Sequence, residues 1–252
     1  MRILLTNDDG IEASGIKILA EKLEENGHEI IVVAPSHEQS ATSHSITLHQ
    51  PLRIHQFGKN KYAATGTPTD CVTLASQIIL QEKVDLVISG INSGQNMGED
   101  ILYSGTVAAA LESMFLGFKA IAISLAAFEK QKFETAAHYI NILLQNNIVD
   151  MIGNQEILNI NIPNLTINEV KGIKITKLGH RKYQDFVVEQ KDPRGEKIYW
   201  IGGDKPKWSQ RRNDDCKVLQ DGYISITPIR PNFTNEISCE KLKIWQKKIN
   251  IK

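Results

Sequence analysis

The chain's pattern predicts an α/β fold: a Rossmann-like, doubly wound, mostly parallel sheet with a hairpin-rich C-terminal extension. Three observations lead there. Short aliphatic runs alternate with helix-period segments over the first 150 residues, which is how strand–helix–strand units of a parallel sheet read. Polar, glycine-bearing stretches directly follow several of those runs, where open α/β sheets bind their ligands. Beyond residue 155 the aliphatic runs are separated by turns with little helix between them, the pattern of antiparallel hairpins.

Each element has its own signal. RILLT at 2–6 reads as a short buried strand, and Ser14 is placed to cap a helix whose Ile16, Leu19, Ala20 and Leu23 recur on one face. Asn26-Gly27 ends that helix, and EIIVVA at 29–34 is the next strand. Residues 35–66 are polar and hydroxyl-rich, a long loop leading into short strands. A helix starts near Thr69-Asp70 and runs to about Gln81, followed by a strand at 84–89, a glycine-rich loop at 90–105 and a helix at 106–117. KAIAIS at 119–124 is a strand and 131–146 a helix. EILNINIP, VKGIKIT, EKIYWIGG and GYISITPI are the hairpin strands of the extension, and a basic helix at about 236–248 closes the chain. Without repeats or a linker, residues 1–252 read as one domain with an elaboration.

Composition narrows the class. Lys plus Arg and Asp plus Glu both total 29, so the formal net charge is zero. Bulk attraction to nucleic acid or to an anionic membrane is therefore not expected, nor is a stable nucleic-acid partner. The longest apolar runs are far too short to span a membrane, and MRILLTNDDG turns polar too early for a signal peptide. Cys71, Cys216 and Cys239 show no CxxC spacing, which argues against a disulfide framework or zinc site and for reduced thiols in a cytoplasmic protein.

Chemistry concentrates in three places. Asp8 and Asp9 are adjacent carboxylates just after the first strand, and like charges so close need a cation or a proton. A turn at Gly10 can aim both at one hard cation such as Mg²⁺ or Ca²⁺. An Asx-turn or helix cap remains the alternative, though one aspartate would suffice for it. The segment SGINSGQNMGEDILYSGT offers Asn92 and Asn96 as neutral polar groups. Its Ser104-Gly105-Thr106 stands directly before a helix, a plausible phosphate cradle. The alternative is a surface loop with an ordinary cap, and the spacing matches neither GxGxxG nor GxxxxGK[ST]. Ser40 is a further oxygen donor, whereas the spacing of His37, His44, His49 and His55 is too irregular for a metal site. Thr65–Asp70 reads as a turn and cap, structural or substrate-lining.

Together RILLTNDDGIEASGI, VVAPSHEQSA, GTPTDCV, SGINSGQNMGEDILYSGTVAAALE, DPRGEKIYWIGG and GYISITPI resemble the SurE (survival protein E) family of metal-dependent nucleotidases, in the family's order, from residue 1 to about 230. The resemblance implies hydrolysis of nucleoside 5′-monophosphates to nucleoside and phosphate, and leaves 3′-nucleotides and short polyphosphate open as further substrates. It implies one divalent cation (Mg²⁺, Mn²⁺ or Ca²⁺) on Asp8, Asp9, Ser40 and Asn92, and phosphate contacts from Asn96, Ser104, Gly105 and Thr106. It also implies a homodimer or homotetramer, with an exchanged arm at about 180–235. Departures from the family's pattern lie in the second loop, Ser36-His37-Glu38-Gln39, at Ala41, and in NDDCKVL, where Asn213-Asp214 stands for the customary Thr-Asp pair.

In the expected mechanism the cation neutralises the acidic pair and polarises a phosphoryl oxygen, with Asp8 as the general base, the alternative being a metal-bound hydroxide that needs none. Two rivals are a haloacid-dehalogenase-like phosphatase, whose DxDx[TV] motif NDDGI does not supply, and a non-catalytic nucleotide-binding stress-response module. Paired acids suit an anion-binding module poorly unless a metal lies between them.

Overall fold

The computed structural model describes residues 1–182, 187–201 and 207–249. Its strands are β1 (Arg2–Thr6), β2 (Glu29–Pro35), β3 (Ile54–Gly58), β4 (Lys61–Ala64), β5 (Leu86–Ser93), β6 (Ala120–Ala126), β7 (Ile157–Pro163), β8 (Ile173–Ile175), β9 (Arg181–Lys182), β10 (Val187–Lys191), β11 (Lys197–Ile201), β12 (Lys207–Trp208) and β13 (Ile224–Ile229). The α-helices are α1 (Ser14–Glu25), α2 (Pro68–Leu74), α3 (Gly105–Phe115), α4 (Phe133–Gln145), α5 (Asp215–Gln220) and α6 (Glu236–Gln246).

One sheet runs β3-β4-β2-β1-β5-β6-β7-β13-β8. From β4 to β7 all neighbours are parallel, while β3 and β13 are antiparallel to β4 and β7. Alternate residues of β1 explain the two layers. Ile3 and Leu5 pack with Ile16, Leu19 and Leu23 of α1 and Ile140 of α4. Leu4 faces the other way, with Cys71 of α2 and Val107 and Ala110 of α3. A parallel sheet covered on both faces needs such continuously apolar strands. The chain leaves β1 toward β2 on one side and later returns to β5 on the other. The crevice at the carboxyl ends of β1 and β5 is thus the switch point where such sheets bind ligands.

Several expectations change. Ser14 is the first residue of α1, and the cap position falls to Ala13 without a side-chain bond. The helix expected to Gln81 is α2, capped by Thr67 with Asp70, followed by a π-turn at Ala75–Ile79. The expected loop from residue 90 is shorter, because β5 runs on to Ser93 and pairs Asn92 with Ser124 of β6 across an irregularity. At that irregularity Gly90 is obligatory, since a Cβ there would lie 2.4 Å from the Ile123 carbonyl oxygen. The loop also contains a 3₁₀ turn at Gly98–Leu102.

The largest correction concerns the extension. β7, β8 and β13 belong to the main sheet, with β7 parallel to β6. Every residue of β7 is buried, so the strand needs cover on both faces and finds it only inside the sheet. Antiparallel hairpin pairing away from the main sheet is confined, among the described residues, to β10–β11 and β9–β12. The expected arm at 180–235 includes residues 183–186 and 202–206, which lie outside the described residues. Among the described residues no helix is long and apolar enough to cross a membrane.

Candidate active site

The acidic turn is built by its own neighbour. Asn7 donates its amide to the Gly10 carbonyl at 2.8 Å and accepts the Gly10 N–H at 3.2 Å, closing the turn with Gly10 at φ +99°. The two carboxylates take different partners. Buried Asp8 accepts the Thr106 hydroxyl at 2.5 Å and the Thr106 N–H at 3.1 Å, while Asp9 accepts the Ser93 N–H at 3.0 Å. Asp8 is thereby tied to the first turn of α3 and Asp9 to the end of β5.

Electrostatically the pair is poised for a cation. Burial pushes the Asp8 carboxyl above its ordinary range despite the Thr106 bonds. Burial also lifts Asp9 to about 6; repulsion from Asp8 and Glu38 adds to the rise and the Ser93 N–H opposes it. Neither acid has a salt-bridge partner among the described residues. Among the described residues Asp9 Oδ1 accepts no hydrogen bond, and Asn92, which donates its amide to the Gly94 carbonyl at 2.7 Å, has its side-chain carbonyl oxygen unpaired. Ser40 is exposed; its hydroxyl donates to Glu38 Oε1 at 2.7 Å, and the adjacent Gln39 N–H bonds the Asp8 carbonyl at 2.7 Å. Two carboxylates, an amide oxygen and a hydroxyl are hard donors that fit Mg²⁺, Mn²⁺ or Ca²⁺. No group of three or more His, Cys, Asp or Glu residues forms a metal cluster among the described residues, so a soft-metal site has no counterpart there.

The expected phosphate turn divides its labour. Ser104 is the cap of α3: its Oγ accepts the Val107 N–H at 3.1 Å and retains its own proton for donation. The Gly105 N–H has no acceptor among the described residues. Thr106 departs from expectation, because its N–H and hydroxyl, the donors a phosphate would use, both belong to Asp8. Asn96 is buried and tightly held: its amide donates to Ser124 at 2.8 Å, its N–H to Asn161 at 2.8 Å, and its carbonyl accepts from Asn159 and Asn161. Gly105 permits the whole approach. A Cβ there would lie 2.9 Å from Asp8 Cβ, 3.0 Å from Asp8 Oδ2 and 3.1 Å from Pro68 Cγ.

Residues 3–185 match the profile of the family described as Survival protein SurE. The chain belongs to the SurE family. It is 46% identical over 245 residues to the 5′-nucleotidase SurE of Alkalilimnicola ehrlichii, covering 97% of this chain and 95% of that one. To the 5′-nucleotidase SurE of Carboxydothermus hydrogenoformans it is 48% identical over 255 residues, covering 98% and 97%. The crystal structure of the SurE protein from Aquifex aeolicus superposes with a TM-score of 0.85 at 37% identity, over 98% of this chain and all of that one.

Within this SurE fold other residues hold the site together without having been singled out from the sequence. Asn7 had a legible signal, an amide three residues ahead of a glycine. Asn159 and Asn161 had another, since amides inside an aliphatic strand must find buried partners. The Thr65–Asp70 segment resolves to structure: Asp70 accepts from the Thr47 N–H, the Thr47 hydroxyl and the Thr67 N–H, pinning the hydroxyl-rich loop to α2. His37, His49 and His55 are exposed, and His44 pairs with Glu112 at 2.9 Å and stacks on Phe115.

Proposed function

We propose that this chain is a metal-dependent 5′-nucleotidase, cleaving nucleoside 5′-monophosphates to nucleoside and inorganic phosphate. The relatives' names support the reaction class, and one structural observation supports its location. The acidic turn and the N-terminus of α3 are bonded to each other through Asp8 and Thr106, so a cation site and an anion site adjoin. A divalent ion held by Asp8, Asp9, Asn92 and Ser40 would supply Lewis-acid polarisation of a phosphoryl oxygen and a more acidic water.

The chain's own groups do the rest. The Ser104 hydroxyl, the Gly105 N–H and the positive end of α3 receive the phosphate's oxygens. Thr106 fixes the orientation of Asp8, which accepts the proton of the attacking water. As the water oxygen bonds to phosphorus, the phosphorus–ester oxygen bond breaks, and the proton taken by Asp8 passes to the departing nucleoside oxygen. Stabilisation of charge on the phosphoryl oxygens is the main contribution of such a site.

Assembly as a homodimer or homotetramer belongs to the same proposal, supported by exposed Val187, Tyr199, Trp200 and Ile201 on β10–β11 and Ile237, Leu242, Ile244 and Trp245 on α6. So does a cytoplasmic site of action, supported by three free cysteines.

The test is phosphate release from a panel of nucleoside monophosphates, with chelator and then with Mg²⁺, Mn²⁺ or Ca²⁺ restored. Release that stops with chelator and returns with metal is expected. A phosphoenzyme trapped on Asp8 or Asp9 would replace direct attack by water, and metal-independent nucleotide binding without release would replace the enzyme altogether.

A further inference from the structure

We propose that Asp215 is a positioning residue for the reaction, setting the phosphate-binding turn from the base of the C-terminal extension. The proposal rests on reading Ser104–Thr106 as that turn.

Asp215 is fully buried, and no cation pairs with it among the described residues. A buried carboxylate persists only if hydrogen-bond donors compensate it. Here they come from three segments. Oδ2 accepts the Gly98 N–H at 3.0 Å, across 117 residues of sequence. Oδ1 accepts the Gly179 N–H at 2.7 Å, the Cys216 N–H at 2.9 Å and the Cys216 thiol at 3.3 Å. Helix capping does not explain the residue. The cap of α5 is Asp214, which accepts the Lys217 N–H at 2.7 Å.

The junction has no slack. A Cβ on Gly98 would sit 2.9 Å from the Gly179 carbonyl oxygen, and one on Gly179 would sit 2.6 Å from Cys216 Sγ. From Gly98 a single 3₁₀ turn leads to the cap of α3, closed by Asp100 N–H to Met97 at 3.1 Å, Tyr103 N–H to Asp100 at 3.0 Å and Ser104 N–H to Ile101 at 3.4 Å. Its outer side is stitched to the same base. Glu99 pairs with His180 at 2.6 Å and accepts the Arg181 N–H at 2.8 Å, and Asp100 pairs with Arg181 at 2.6 Å. The connection therefore passes from Asp215 through Gly98 and the 3₁₀ turn to Ser104 and Gly105. Of the proposed metal ligands, Asp9, Asn92 and Ser40 lie on other elements, and Asp8 alone reaches this turn, through Thr106.

That separation gives the test. In Asp215→Asn one of the two acceptor oxygens becomes a donor, so Gly98 or Gly179 loses its partner. In the full-length protein, kcat and KM for adenosine 5′-monophosphate, inhibition by inorganic phosphate and Mn²⁺ affinity by calorimetry are measured. For Asp215→Asn the phosphate inhibition constant should rise about 10-fold and kcat/KM fall by about 10²-fold, the scale of a small misplacement of a reacting group, with a smaller loss of Mn²⁺ affinity passed on through Thr106 and Asp8. Glu99→Gln, at the surface, should keep the fold and weaken phosphate by about 3-fold. A folded Asp215→Asn with unchanged phosphate inhibition overturns the proposal, as does a fall in Mn²⁺ affinity as large as the fall in phosphate affinity. If Asp215→Asn does not fold, Glu99→Gln decides, and unchanged phosphate inhibition there overturns it. Wild-type protein that binds Mn²⁺ but no phosphate would instead refute the turn assignment beneath it.

Discussion

β7 and β11 both look like hydrophobic strands on paper, yet all of ILNINIP is buried and all of KIYWI is exposed. β7 lies between β6 and β13 in a sheet covered by helices. Among the described residues β11 pairs only with β10, and every residue of both strands is exposed. α6 repeats the contrast, with no buried residue against eight in α4. An apolar run that the fold leaves uncovered is a surface awaiting another chain. The first region holds the candidate active site, and the second is the surface on which we propose assembly. Substitutions should separate the two.

The largest effect is expected at the acidic turn. Asp9→Asn should lower metal-dependent phosphate release by more than about 10²-fold, since even partners outside the ligand set cost 10–100-fold. Asp8→Asn should behave likewise, with the circular dichroism spectrum unchanged in both. Asp9→Asn should also raise the melting temperature of the metal-free protein. The pH dependence gives the same result in another form. The Asp9 carboxyl is lifted in the fold from 3.8 to about 6, so its contribution is fully present below 3.8. It is lost as pH rises to about 6, where the folded chain too must ionise. Metal-free melting temperature should therefore fall across that window, Mn²⁺ affinity should climb over it, and Asp9→Asn should flatten both curves.

Gly105→Ala comes next. Its Cβ would stand 2.9 Å from Asp8 Cβ, and relief of such overpacking typically costs about 1–3 kcal/mol. Thermal melts and initial rates should show both a less stable protein and an activity loss of about 10-fold or more, as a displaced reacting group predicts. Trp200→Glu and Trp245→Glu should act on the other region. Light scattering should show smaller assemblies, with Mn²⁺ affinity at the sheet edge unchanged. Equal loss of metal binding would break the division. The smallest change is expected for Ser104→Ala, which removes a cap worth about 1 kcal/mol. It should weaken phosphate inhibition only a few-fold, because the Gly105 N–H and the α3 dipole remain.

Much of the site was legible because strand ends and glycine-bearing loops announce where open sheets bind. Asp8, Asp9 and Asn92 come out at the crevice between β1 and β5 as expected. Thr106 reads as a phosphate donor because it stands at the start of a helix. Its allegiance to Asp8, 98 residues away, is a contact that no local pattern encodes. Ser40 and Asn96 were legible as polar groups, but not their engagement with Glu38 and with Asn159, Asn161 and Ser124. Asp215 carries no local signal of its own: Asp214 beside it caps α5, while the partners of Asp215 at Gly98 and Gly179 are far away in sequence.

By itself the sequence determined the alternation of strands and helices, the acidic turn, the glycines that close approach demands, and the family. Those are local properties: periodicity, backbone freedom and charge adjacency act within a few residues. Tertiary structure alone decided that β7 and β13 join the main sheet, that α6 stays uncovered, and that Asp8 and Asp215 are each tied to backbone from distant segments. Burial and hydrogen-bond partnership depend on which surfaces meet, and the chain specifies that only when it is folded.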